Sequence, residues 1–229
     1  MYDHQLSAPS SGYRPTPLYE AHVTVRCEDA ETFGAFERWA AEASLKVTHI
    51  VLARGRTVSQ PMLTLRDARS YEEQLGVARA VAERLRDAGF EPVRIKVETA
   101  VRSPEVPRDA DADRFTFGER HFEHHVKLLL DAGFDRAALT GVAVAHGAHL
   151  SWNARRVREG GRHERFLTQR CFGVGAESAG RELDALLAGL SAYEVVGVER
   201  EFVLYDSDLS VDDGWIEPRN VTRKAGAVA

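Results

Sequence analysis

The sequence is poor in the features that would settle its class by themselves. Two cysteines, Cys27 and Cys171, in 229 residues exclude a disulfide framework. The expectation is two reduced thiols in a cytoplasmic protein. No apolar run approaches the roughly 20 residues of a membrane-spanning helix, so no membrane partner is expected. The first residues lack the basic and apolar regions of a signal peptide. Positive charge is not in excess: the formal net charge is −5. Broad nucleic-acid binding needs a basic surface and is therefore disfavoured. A full dinucleotide fingerprint is also missing. Gly173-Val-Gly175 stands alone before a helical pattern and offers at most a few amide donors at a helix start.

What the chain does contain is a loose internal repeat. Tyr19-Glu-Ala-His-Val-Thr-Val25 returns as Phe122-Glu-His-His-Val-Lys-Leu128. Gln60-Pro-Met-Leu-Thr-Leu-Arg66 returns as Glu164-Arg-Phe-Leu-Thr-Gln-Arg170, and Glu91-Pro-Val-Arg-Ile-Lys-Val-Glu98 as Glu194-Val-Val-Gly-Val-Glu-Arg-Glu201. A nearly constant offset over three segments points to one structural unit used twice.

Each copy alternates strand and helix patterns. Residues 19–26 show strict period two, with Ala21, Val23 and Val25 on one face and Glu20, His22 and Thr24 on the other. Asp29 is placed to cap a helix carrying Phe33, Phe36, Trp39 and Ala40. Ser70 and Glu73 form a capping-box signature for another, which ends near Gly89. Strands are expected near 46–53, 60–66 and 93–101. The second copy reads as strands at 122–129, 148–154, 164–171 and 194–205, with helices near 134–145 and 176–190.

The order β-α-β-β-α-β is the ferredoxin-like pattern. The expected fold is therefore α+β, two tandem ferredoxin-like halves forming an intramolecular pseudo-dimer. Their open sheet faces would meet in a cleft or a closed pseudo-barrel. The expected divisions are an arm at 1–17, half 1 at 18–102, a linker at 103–118, half 2 at 119–206 and a tail at 207–229.

Polar residues recur together with the apolar ones. Glu20, His22, Thr64, Arg66 and Glu98 match Glu123, His125, Thr168, Arg170 and Glu201. Period two sends them to the sheet face away from the helices. Paired histidines exchange protons near neutral pH, and guanidinium groups match phosphate or carboxylate oxygens. The reading is a cleft that binds a small phosphorylated or otherwise anionic ligand. Catalysis, if any, would be phosphoester hydrolysis or transfer, with His22 and His125 as the acid–base pair and His149 in reserve. Arg66, Arg170, Thr24, Thr64, Thr168 and Lys127 are the candidate anion-binding residues. Arg155 and Arg156, on the arginine-rich 153–165 hairpin, join them.

Two short motifs add a resemblance. His22-Val-Thr-Val25 and His149-Leu-Ser-Trp152 resemble the His-hydrophobic-Thr/Ser-hydrophobic motif of the 2H phosphoesterases. Those enzymes are bilobal and pseudo-symmetric, and open cyclic phosphates or related phosphodiesters without a metal. The resemblance implies that His22 and His149 are the acid–base pair and that Thr24 and Ser151 hold phosphate oxygens. It covers eight residues, and the internal repeat pairs His22 with His125 instead.

Two alternatives stay open. One is a non-catalytic ligand- or partner-binding module. The other is a metal-dependent enzyme in which Glu20, His22, Glu123 and His125 chelate a divalent ion, since residues two apart on a strand point the same way. Composition fixes neither a required cofactor nor an oligomeric state.

Overall fold

The computed structural model describes residues 19–66, 70–154 and 162–216. The first half of the chain forms β1 (Tyr19–Arg26), α1 (Ala30–Glu42), β2 (Lys46–Leu52), β3 (Ser59–Arg66), α2 (Tyr71–Asp87) and β4 (Glu91–Ala100). The second forms β5 (His121–Leu130), α3 (Arg136–Ala145), β6 (Ala148–Asn153), β7 (His163–Phe172), α4 (Ala176–Gly189) and β8 (Val195–Asp206). Local chemistry starts the helices. Asp29 accepts from the Thr32 amide at 2.7 Å, Ser70 from Glu73 at 3.2 Å and Asp135 from Ala138 at 2.9 Å.

The expected pair of tandem ferredoxin-like halves is corrected. There are not two sheets meeting across a cleft but one closed antiparallel barrel of eight strands, in the order β1-β3-β2-β6-β7-β5-β8-β4. Closure comes from pairings that no single half could make. β2 joins β6 from Ile50–Asn153 to Leu52–Ser151, and β4 joins β8 from Lys96–Asp206 to Ala100–Glu201. An unpaired strand edge leaves a row of backbone groups without partners, and closure removes every edge.

The helices lie outside. Ala21, Val23, Leu63, Leu65 and Val97 on the outer strand faces pack with Phe36, Ala40, Ala78 and Leu85 of α1 and α2. Val126, Leu128, Leu150 and Leu167 pack with Leu139, Leu183 and Leu186 of α3 and α4. Alternation then turns the polar set of each strand inward.

A register shift lies between Val97 and Glu98 in the β4–β8 pairing. It changes the parity of β8, so Glu201 and Asp206, an odd number of residues apart, both reach interior partners.

The segment between the halves packs closely. Asp109 accepts from the Ser178 amide at 3.1 Å and its hydroxyl at 2.8 Å, and the Ala176 amide donates to the Pro107 carbonyl. The N-terminus of α4 is thus taken by the chain itself, not offered to a ligand anion. Gly175 permits this approach, because a Cβ there would lie 2.2 Å from the Asp109 nitrogen.

After β8 the chain folds back at one end of the barrel. Trp215 is buried, and its indole N–H donates to the Leu150 carbonyl at 3.0 Å. No helix among the described residues is long and apolar enough to cross a membrane.

Candidate functional site

The barrel lumen is a cavity of about 890 Å³ lined from all eight strands, with Asp212 and Trp215 added from the chain after β8. Its lining is buried around Glu98, Glu123, Arg94 and Arg170 and exposed around Lys46, Arg66 and Arg102. The buried group forms the floor and the exposed group the mouth.

Two equivalent clusters face the lumen. In the first, His22 Nδ1 lies 3.3 Å from the Thr64 hydroxyl. Its Nε2 lies 3.1 Å from Glu98 and 3.5 Å from Glu20, and Arg66 Nε donates to Glu20 at 2.6 Å. In the second, His125 Nδ1 lies 3.0 Å from the Thr168 hydroxyl. Its Nε2 lies 3.3 Å from Glu123 and 3.5 Å from Glu201, and Arg170 Nε donates to Glu123 at 2.6 Å. The five recurring residues of each half thus recur in their contacts as well.

Lys96 joins the clusters. Its ammonium lies 2.6 Å from Glu98 and 2.7 Å from Glu123. His121, fully buried on β5, adds a contact to Glu123 at 3.4 Å. Deeper still, Arg94 is held by Asp206 at 2.8 Å and Asp212 at 2.9 Å. Asp212 also accepts from Arg170 at 2.7 Å and Gln60 at 2.9 Å.

These neighbours reset the acids and bases. Burial alone would raise Glu123, but the Arg170 guanidinium and Lys96 ammonium outweigh it and hold the carboxyl well below its usual range. Glu98 is likewise lowered, its burial offset by Lys96 and then His22. Burial opposes charging His125, yet Glu123 and then Glu201 push it up to about 9. Glu201 rises to about 8, first through burial and then through repulsion from Glu98. Asp212 falls to about 2 because Arg94 and Arg170 overcome its burial.

The structure brings His22, His125, Glu20, Glu123, Thr24, Thr64, Thr168, Arg66, Arg170 and Lys127 to one lumen. His149 pairs with Thr168 across β6–β7 and so faces the same interior, but it lies against the Trp215 ring at a centroid distance of 6.1 Å and is not part of the cavity lining. The two short motifs therefore sit on β1 and β6, and only the first has its histidine in the lumen lining. Arg170 braces Glu123 and Asp212 from a buried position and does not present its guanidinium to the mouth. Arg66 is 48% exposed and is better placed to meet a ligand. Lys127 lies over the Phe166 ring at 5.3 Å. Arg155 and Arg156 lie outside the described residues.

Sequence reasoning passed over Lys96, Arg94, Asp206 and Asp212. The alternation Arg94-Ile-Lys96-Val-Glu98 is a legible signal for the first two, since it puts three charges on one strand face. Asp212 has no such signal.

No family model matches the chain, and no curated protein matches it. Three solved structures align loosely over most of their length. The acetolactate synthase small subunit from Thermotoga maritima is 12% identical, covering 82% of this chain and 95% of its own, with a TM-score of 0.27. The regulatory subunit of aspartate kinase from Thermus thermophilus is 14% identical, covering 76% and 93%, with a TM-score of 0.30. Chlorite dismutase from Candidatus Nitrospira defluvii is 12% identical, covering 85% and 92%, with a TM-score of 0.25. Superpositions this loose carry no weight for fold or function.

Proposed function

We propose that the protein is a ligand-binding module that takes a small molecule bearing a phosphate or carboxylate group into the mouth of its barrel. The charge of the lumen carries this reading. Inside, Lys96, Arg94 and Arg170 are matched by Glu98, Glu123, Asp206 and Asp212, whereas the lining toward the mouth carries Lys46, Arg66, Arg102 and Lys127, although the whole chain has a net charge of −5. Positive charge gathered in a concave, partly dry site attracts anions, and guanidinium groups fix their orientation. Lys46, Arg66 and Arg102 are exposed and Lys127 is half-buried, whereas the Arg200 guanidinium turns outward to Gly180 of α4.

Binding without turnover fits the histidines better than acid–base catalysis. In both clusters Nδ1 meets a threonine hydroxyl and Nε2 faces carboxylates. Both nitrogens of each ring are thus engaged by groups of the protein. A second reading, phosphoester hydrolysis by His22 and His125, draws support from their lining one cavity.

A thermal-shift panel of inorganic phosphate, phosphate monoesters, cyclic nucleotides and small carboxylates separates the two. A ligand at about 100 times its Kd stabilises by about 2.7 kcal/mol, a rise of several degrees for a chain of this size. The expected result is a shift with at least one anion class that shrinks at least tenfold in apparent affinity in Arg66→Ala and Lys127→Ala. No shift with any anion sinks the binding reading. Product release from a phosphoester, lost in His22→Ala, replaces it with catalysis.

A further inference from the structure

We propose that Glu98, Glu123 and His125 form a binding site for one divalent first-row transition-metal ion on the lumen floor, a site now held by the ammonium group of Lys96. One donor atom from each of the three lies within 4.8 Å of the others. Glu98 and Glu123 are at least 98% buried in the lumen wall, with only 1% and 2% of their surfaces exposed. The proposal does not depend on the anion reading, which concerns the mouth.

The spacing favours coordination over hydrogen bonding. His125 Nε2 stands 3.3 Å from its fellow donor Glu123. A charged hydrogen bond between these groups closes to about 2.7–2.9 Å. Two donors on a tetrahedral ion, each about 2.1 Å from it, stand about 3.4 Å apart. The imidazole is also turned for the task. Thr168 engages Nδ1, which leaves Nε2 as the inward donor, the arrangement usual for a metal-binding histidine.

Glu98 supplies an independent observation. Neither of its side-chain oxygens has a hydrogen bond of acceptable geometry, and both are shut off from solvent. What meets them is charge alone, from Lys96 at 2.6 Å and His22 at 3.1 Å. A buried carboxylate in that position is stabilised by whatever cation stands beside it. Lys96 stands between Glu98 and Glu123 as that cation. Its flexible stem lets the ammonium swing into a cavity of about 890 Å³ when an ion takes its place.

The remaining contacts act as outer supports. Arg170 fixes the second oxygen of Glu123 at 2.6 Å, leaving the first turned toward Lys96 and His125. One imidazole and two carboxylates suit Zn²⁺, Mn²⁺ or Fe²⁺, whereas Ca²⁺ and Mg²⁺ prefer oxygen alone. His125 binds as the neutral ring, so uptake releases its proton to solvent.

The test is a Co²⁺ titration of the full chain at pH 7.5 in phosphate-free buffer, followed by visible absorption, with Zn²⁺ as competitor. The expected result is saturation at one equivalent, displacement by Zn²⁺, and at least a hundredfold weaker uptake in Glu98→Gln and His125→Gln. Lys96→Met removes the competing ammonium and is expected to bind Co²⁺ about tenfold more tightly. Circular dichroism melts establish which variants fold. Absence of saturable uptake by the wild-type chain overturns the proposal. So does uptake unchanged in a folded Glu98→Gln or His125→Gln chain, or uptake abolished in a folded Lys96→Met chain.

Discussion

At the scale of the residue, Asp212 shows most clearly what holds this interior together. It is the shared counter-charge of Arg94 and Arg170 and accepts a hydrogen bond from Gln60 as well. With only 3% of its surface exposed, its loss leaves two guanidinium groups under-compensated in a buried setting. Breaking such a pair costs about 3–5 kcal/mol, so Asp212→Asn is expected to lower stability by about that amount at pH 7 in urea unfolding. The pH dependence has a definite sign. The folded carboxyl titrates at about 2, below the roughly 3.9 of an unfolded aspartate. Its contribution is therefore fully present above about pH 4 and is lost as pH falls through 2. Unfolding curves for wild type and Asp212→Asn measured at pH 7, 4 and 2.5 should converge as the pH drops. A gap that stays constant would mean that the carboxylate charge is not what Asp212 supplies.

At the scale of the element, the two closures of the barrel are unequal. β4 and β8 pair from Lys96–Asp206 to Ala100–Glu201, whereas β2 and β6 share only the pairs from Ile50–Asn153 to Leu52–Ser151. Two flanking bonds, Ala53 N–H to Leu150 and Ala154 N–H to His49, extend the shorter closure slightly. Local opening begins where few backbone bonds and little apolar packing must be given up. Hydrogen exchange is expected to be fastest, among strand amides facing another strand, across β2–β6, and slowest in β1 and β5. Slower exchange at β2–β6 than at β4–β8 would contradict this ranking. The same inequality explains what the sequence reveals. Alternation at 19–26 separates Ala21, Val23 and Val25 from Glu20, His22 and Thr24, and caps at Asp29 and Ser70 mark helix starts, because these signals are local. Closure has no local signal, since β2 and β4 carry the same patterns whether they end a sheet or continue one. The matched polar set led to the lumen because repetition kept His22 with Thr64 and His125 with Thr168. Asp206 escaped because the register shift beside Glu98 changes which face it occupies, and Asp212 because it arrives from outside any strand.

At the scale of the whole molecule, the repeat and the closed barrel are one fact. The long closure pairs β4 with its repeat counterpart β8, and the short one pairs β2 with its counterpart β6. Both pairings are antiparallel, so each is compatible with a two-fold relation between the halves. Severed from its partner, the first half would expose two strand edges and a face carrying Glu20, His22, Arg66, Arg94, Lys96 and Glu98. A second copy of itself could cover both. Residues 1–106 expressed alone are therefore expected to be dimeric by sedimentation, and to lose structure on dilution together with dissociation. Charge should make that dimer weaker than the native pairing. In the native chain Lys96 meets Glu123 from the other half, and Arg94 meets Asp206 and Asp212. A homodimer retains the lysines and arginines and supplies a second Glu20 where Glu123 stands, but it loses the two aspartates. Raised salt, which screens like-charge repulsion, should then strengthen the half-chain dimer. A monomer that stays folded at nanomolar concentration would show instead that each half is stable without closure, and that the shared lumen is a consequence of function alone.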